Sequence, residues 1–391
     1  MSDLTLPSRL PAPEKPHLTL GFVPLIDACP LIVARELGYF EACGLDVSLS
    51  KEASWASIRD KVQLGMLDAA QMPAGIPLAT ALGLGYGHNP MVCTMGLGLN
   101  GNAITLSGAL YEALQQAPQF GTDPASAGAA LSWYLRKNPQ ARPTFATVYA
   151  HSMHSFLLRY WLNACGIDPQ RIRQVVVPPP QMVDALKRGL IDAFCAGEPW
   201  NSVAQQQQVG RVLISGHQIW HNAPDKVLGT TADWANQNPA SLQLLIMALL
   251  KACAWIDEPA NRTSMLEILS QPQYLGSDLI TPDPDIGRHQ FFGSAANFPW
   301  QSQARWLLEQ IQQSQPVSRS SAELDALARK TYVSDSFRQA SAALQLNLPI
   351  DDSKPEGMHD SDWEVAGQQG PLLLPKDRRF DTPAKATLTE Q

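Results

Sequence analysis

The chain runs to 391 residues, 45% of them hydrophobic and 17% charged, with a formal net charge of −7. That length is too great for one compact core and suits two domains, while the acidic balance argues against nucleic acid as a direct partner, because a phosphate backbone demands a basic footprint. Six cysteines, Cys29, Cys43, Cys93, Cys165, Cys195 and Cys253, include no C-x-x-C pair, so neither a zinc knuckle nor a thioredoxin-like site is indicated and small buried hydrophobes are expected.

Residues 1–16 are rich in proline and read as a flexible segment. They hold no apolar h-region, so the expected location is cytoplasmic. No stretch reads as apolar for long enough to cross a membrane. Leu18–Val23 alternates and predicts a first strand, and Pro30 opens a helix over Leu31–Ala42. Further strands are expected at Leu45–Ser50, Leu67–Met72, Met91–Gly96 and Ala103–Ser107. Helices are expected from Trp55 to about Gly65 and from Gly75 to Leu84. The run Gly96–Asn102 reads as a hinge, with the crossing to a second domain just after it. In that domain Ser126–Lys137 and Ser152–Ala164 are predicted helices and Thr144–Val148 a strand. Lys226–Thr231 brings the chain back. Asn238–Ile256 is a long apolar helix, and Ser302–Gln313 and Ser320–Leu346 are helical. The predicted division is lobe I at 17–106 and 219–350, lobe II at 107–218, and a tail at 351–391. The tail is expected to pack on lobe I as extended chain or to be partly disordered.

One stretch organises the rest: Val175–Asn201, VVVPPPQMVDALKRGLIDAFCAGEPWN. Val175–Val177 suits a buried strand. Pro178, Pro179 and Pro180 then force the chain out of the sheet as stiff extended backbone. Gln181–Gly189 predicts a short helix with Met182, Val183 and Leu186 inward. Leu190–Ala196 predicts a second strand, and Pro199 suits the first turn of another helix. In open α/β sheets small ligands bind beyond the carboxyl ends of the strands, so both strand ends would face one crevice. Strands alternating with helices and two crossings imply two α/β domains and a cleft.

PPPQM at Pro178–Met182 and DAFCAGEPWN at Asp192–Asn201 resemble the periplasmic nitrate-binding proteins of bacterial ABC importers and their bicarbonate-binding relatives. The likeness runs from about Leu18 to Leu346. With the unled N-terminus, the chain is most similar to cytoplasmic nitrate/nitrite sensors of the NasS type. The resemblance implies a two-lobed, type II periplasmic-binding-protein-like fold, no enzymatic activity, no cofactor and no metal, with nitrate or nitrite held between the lobes. Carried over residue by residue, the implied ligand set is Trp55, Asn102, His154, Pro179 or Pro180, Ala196, Gly197 and Lys226. Asn102 stands where the nitrate binders have glutamine, keeping the amide one methylene shorter. Bicarbonate binders carry a glutamate where this chain has Lys226 and recruit a metal, so the lysine favours nitrate or nitrite.

A flat, weakly basic monoanion wants a few directed donors and one cation in a dry pocket. Lys226 is the expected charge. The Asn102 amide, the His154 ring and the Gly197 backbone N–H are the expected donors, and Trp55 offers an indole N–H or a flat wall. His151 and His154 lie three apart, but no third metal ligand is spaced nearby. Glu198 and Trp200 are expected to cap and pack the helix that follows. The NasS resemblance also implies a partner, an RNA-binding antiterminator of the NasT type that is released when the anion binds. The alternative is the substrate-binding component of a nitrate/nitrite importer. No P-loop is present in the sequence.

Overall fold

Ten strands carry the framework: β1 (His17–Phe22), β2 (Asp46–Lys51), β3 (Ala69–Pro73), β4 (Met91–Leu99), β5 (Asn102–Ser107), β6 (Thr144–Thr147), β7 (Arg173–Val176), β8 (Ala193–Gly197), β9 (Gly210–Ser215) and β10 (Pro224–Thr231). The computed structural model describes residues 4–85, 89–276, 282–293 and 295–383. The outermost parts of the predicted N-terminal segment and tail, 1–3 and 384–391, lie outside the described residues. One sheet has the order β2-β1-β3-β10-β4, the other β7-β6-β8-β5-β9. In each, parallel strands are flanked by antiparallel ones: β1 runs parallel to β2 and β3, and β6 to β7 and β8, while β10 opposes β3 and β4, and β5 opposes β8 and β9. Strands β3, β8 and β10 are buried along their whole length, as expected of strands covered by helices on both faces.

The chain passes between the lobes at Asn100–Gly101 and returns through residues 216–223. Gly101 has φ +94°, and a Cβ there would stand 2.4 Å from the His289 ring, so only glycine fits. The Asn100 N–H donates to the Ala223 carbonyl at 2.8 Å, and its side-chain amide to Asn222 at 3.1 Å, so the two crossings are stitched together. The first crossing therefore comes before β5. Residues 102–106, predicted to lie in lobe I, belong to lobe II, because Gly96 and Gly98 sit inside β4 and β5 pairs with β8 and β9.

Other expectations change with packing. The Val175–Val177 run is not a buried strand. It ends the edge strand β7, and Val176 is 56% exposed; a β-branched run signals a strand but not its place in the sheet. The helix predicted over 31–42 breaks at Gly38, φ +69°, into Cys29–Glu36 and Tyr39–Ala42. Ser320–Leu346 is two helices, Ser321–Thr331 and Asp335–Ala343. The helix Pro239–Ile256 is long and apolar enough to cross a membrane by length and composition, contrary to the reading of the sequence. It is the core helix of lobe I, two thirds buried.

Both chain termini are tied down where they are described. The Glu14 carboxylate accepts the N–H groups of Ala240 and Ser241 at 3.1 and 2.9 Å, closing the open amino end of Pro239–Ile256. This corrects the prediction of a flexible segment as far as residue 14 is concerned. The tail forms two antiparallel pairs, Trp363–Val365 with Leu372–Leu374 and Met358–His359 with Asp377–Arg378. It does not rest on lobe I alone. Asp352 pairs with Arg338 and accepts the Ser334 hydroxyl at 3.1 Å and the Gln301 amide at 3.2 Å, while Phe380 N–H donates to Ile219 O at 2.9 Å and the Tyr160 hydroxyl donates to Asp381, both on the lobe II side. Within the tail Lys354 lies buried between Glu356 at 2.7 Å and Asp377 at 2.9 Å.

Candidate functional site

At the carboxyl ends of β1 and β8, where the lobes meet, sits a dry polar cluster. Lys226, on β10, is 1% exposed. Its ammonium lies 2.6 Å from Asp27 Oδ2 and 2.5 Å from Asp225 Oδ2, and 5.5 Å above the Trp55 ring. Asp27 comes from the short turn after β1, where Gln71 on β3 donates its amide to Oδ1. From lobe II, Gly197 closes the end of β8. A Cβ there would stand 3.4 Å from Asp27 Oδ2 and 3.6 Å from His154 Nε2, so the glycine backbone, Asp27 and His154 converge. The Ile26 N–H donates to the Glu198 carbonyl at 2.9 Å, and Arg59 to the Tyr149 hydroxyl at 2.9 Å; both bonds cross between the lobes.

The electrostatics follow from burial. Burial opposes the Lys226 charge, but Asp225 and Asp27 outweigh it and hold its pKa above the ordinary lysine value. Burial pushes Asp225 up to about 6 against the pull of Lys226, and it raises Asp27 against the same pull. Burial, and then the charge on Lys226, hold His154 well below its ordinary value, so its ring is neutral. Several polar atoms here have no hydrogen-bond partner in the protein: the Trp55 indole nitrogen, both His154 ring nitrogens, Asn102 Oδ1 and Asp225 Oδ1. Buried donors and acceptors in that state are costly. Among the described residues no three His, Cys, Asp or Glu side chains converge to hold a metal ion.

Residues 11–270 match the NMT1-like family. The chain belongs to that family. Among curated relatives, the nitrate import ATP-binding protein NrtC of Synechocystis sp. is 41% identical over 318 residues, covering 76% of this chain and 46% of that protein. The bicarbonate transport ATP-binding protein CmpC of Synechococcus elongatus is 40% identical over 311 residues, covering 76% and 45%. The chain thus spans about half the length of these two relatives. The nitrate/nitrite binding protein NrtA of Synechococcus elongatus is 33% identical over 371 residues, 88% of this chain and 82% of the relative. The crystal structure of the periplasmic nitrate-binding protein NrtA from Synechocystis superposes with a TM-score of 0.78 at 27% identity over 95% of both chains. The two-lobed, periplasmic-binding-protein-like α/β fold is therefore the one expected.

In this NMT1-like chain Trp55, Asn102, His154, Gly197 and Lys226 come together. Trp55 opens the helix Trp55–Gln63 behind the Ser54 cap, and His154 stands in the first turn of Met153–Ala164 behind Ser152. Asn102 begins β5, directly opposite Gly197 in register, and its amide faces Asp225. Ala196 is buried beside them, its carbonyl taken by Asn201 at 2.9 Å. Pro179 and Pro180 stand apart. They belong to the tight turn Pro179–Gln181 after the edge strand β7, with β6 between them and β8; Pro179 is buried in the turn and Pro180 exposed. Glu198, expected to cap the next helix, accepts the Ser202 hydroxyl at 2.5 Å, and the N-cap position of that helix is held by Pro199 without a side-chain cap. The sequence reading missed Asp27, Asp225 and Gln71. It treated Lys226 as a spare positive charge, whereas two buried carboxylates already face it. The signal for one was local, an acid next to the lysine in Pro-Asp-Lys. The other lies 199 positions earlier and only the fold brings it near.

Proposed function

We propose that this chain is a nitrate/nitrite-binding protein, not an enzyme, and that it works as a cytoplasmic sensor. The observation that carries the anion reading is the set of unpartnered buried donors, the Trp55 indole and the His154 ring, gathered round the ammonium of Lys226. Such donors gain a full hydrogen bond from an oxyanion at no further desolvation cost of their own. Relatives named for nitrate and nitrite support this ligand, and CmpC, named for bicarbonate transport and 40% identical, makes bicarbonate the competitor to test. Trp55 and Lys226 come from lobe I and His154 and Gly197 from lobe II, so an anion contacting both sides biases the cleft toward closure. In the sensor reading, the ligand-free form holds an antiterminator protein of the NasT type, and closure releases it.

The alternative is the substrate-binding component of a nitrate/nitrite importer. It is favoured by the relatives, whose names are those of import and binding proteins. Calorimetric titration with nitrate, nitrite, and bicarbonate with calcium tests the ligand; nitrate or nitrite binding that Lys226→Glu abolishes is expected, and bicarbonate binding alone would refute it. Release of a NasT-type protein from the immobilised chain by nitrate separates sensor from importer, and unchanged partner affinity leaves the importer reading.

A further inference from the structure

With both aspartates ionised, the cluster of Lys226, Asp27 and Asp225 carries one net negative charge in a site of 1 to 4% exposure. A monovalent anion added to it makes two. An uncompensated buried charge costs several kcal/mol, so directed donors alone do not make such a site attractive to an anion. Among the described residues no other ionisable side chain facing the cluster supplies a full positive charge; the amino ends of Trp55–Gln63 and Met153–Ala164 lend only partial ones. On the lobe I side stand the Gln71 amide and the Trp55 ring, both neutral. On the lobe II side stand the neutral His154 ring, the Asn102 amide and the Cys195 thiol. His289, which also feels the Lys226 charge, is held neutral at about 3 by burial. The Glu198 carboxyl is turned to Ser202. Among the described residues neither aspartate has a second ion-pair partner.

Resting on the anion-binding reading of this site, we infer that the anion enters together with one proton, taken up by the carboxylate pair Asp27 and Asp225 around Lys226. The proton comes from solvent and no other bond is made or broken. Joint uptake leaves the net charge of the cluster where it was. Geometry gives the proton a seat: both carboxylates lie within 2.6 Å of one ammonium, Asp27 Oδ1 is taken by the Gln71 amide, and Asp225 Oδ1 is buried without a partner. The elevated position of both carboxyls, Asp225 at about 6, puts this titration within reach of neutral pH. Linkage then makes anion affinity fall as pH rises above the pair's titration, by about tenfold per pH unit for one proton.

The experiment is nitrate and nitrite calorimetry on the full chain from about pH 5.5 to about pH 8.5, in two buffers of different ionisation enthalpy. Expected are uptake approaching one proton per anion above about pH 7, an affinity loss of about tenfold per unit there, and flattening below about pH 6. Asp27→Asn and Asp225→Asn each leave one carboxylate on Lys226. Each should remove the slope and bind at least about tenfold more tightly than wild type near pH 8; either variant suffices if the other does not fold. Binding with no pH dependence and no proton uptake overturns the coupling while leaving the anion reading intact, as does a slope that persists in both variants. No binding of either anion at any pH overturns the anion reading and the coupling with it.

Discussion

Lys226 and Lys354 share one design and differ in how it is finished. Each is a buried ammonium between two carboxylates, Asp27 and Asp225 in one case and Glu356 and Asp377 in the other, with a tryptophan ring 5.5 or 5.7 Å away. Around Lys354 every remaining group is used. Asp377 Oδ1 accepts the Trp220 indole at 2.6 Å and the Gly357 N–H at 3.0 Å, and Glu356 Oε1 accepts the Ser302 hydroxyl at 2.8 Å. Around Lys226 the Trp55 indole, both His154 nitrogens and one oxygen each of Asn102 and Asp225 have no partner in the protein. A saturated cluster is a fastening for the tail. An under-coordinated one of the same composition is where a ligand has something to gain.

The sharpest way to break this contrast is to delete each lysine. Lys226→Met and Lys354→Met both strand two buried carboxylates, and each should cost about 3–5 kcal/mol of stability by denaturant unfolding. Only the first should abolish anion binding; nitrate binding that survives Lys226→Met, or disappears in Lys354→Met with the fold intact, erases the distinction. The indoles give the next effect. Trp220→Phe removes a donor from a charged acceptor and should cost about 1.5–3 kcal/mol. Trp55→Phe removes a donor with no protein partner, so it should leave stability nearly unchanged and weaken nitrate by about tenfold, about 1.4 kcal/mol.

The pH response sharpens the comparison further. Burial first of all raises Glu356 to about 7 and Asp225 to about 6. A carboxyl with a folded pKa above its unfolded value binds its proton more tightly in the folded chain. Its favourable contribution is full below about pH 4 and is lost as pH rises through about 6 to 7. The stability of Glu356→Gln and of Asp225→Asn relative to wild type should therefore climb between those limits, the second ending sooner; urea midpoints across the range that show no climb sink both assignments. Smallest is Glu14→Ala, which uncovers the amino end of Pro239–Ile256 and should lower the melting midpoint by an amount equivalent to about 1 kcal/mol, without touching anion affinity.

Much of this was legible in the chain itself. Alternating apolar runs and their glycine and proline punctuation marked most framework strands and the longer helices near their places, though not the strand Gly210–Ser215 or the helices Gly108–Gln115 and Arg262–Leu269, and the segments around Trp55, Asn102, His154, Gly197 and Lys226 could be picked out by resemblance. What was not legible depends on distance in space. Val176 and Ala193 lie in similar apolar runs, yet one ends an exposed edge strand and the other begins a buried central one. Asp27 looked like an ordinary turn residue, because its role exists only once β1 and β10 lie in one sheet with β3 between them. Likewise the tail has little periodicity, since its order comes from single anchoring contacts rather than from a repeating apolar face.

The tail also works as a leash. Leu374 is fixed in the lobe I core, and Phe380 is bonded to Ile219 on the other lobe. Five residues lie between them, six steps of chain that span about 20 Å when fully drawn out. Small excursions of the cleft leave both ends attached. A wide swing must strip one end off, and the stripped chain becomes substrate for any added protease. Nicking kinetics in this stretch thus clock how often the lobes part widely, and a ligand that keeps them together should slow the cut without ever touching the place where it falls.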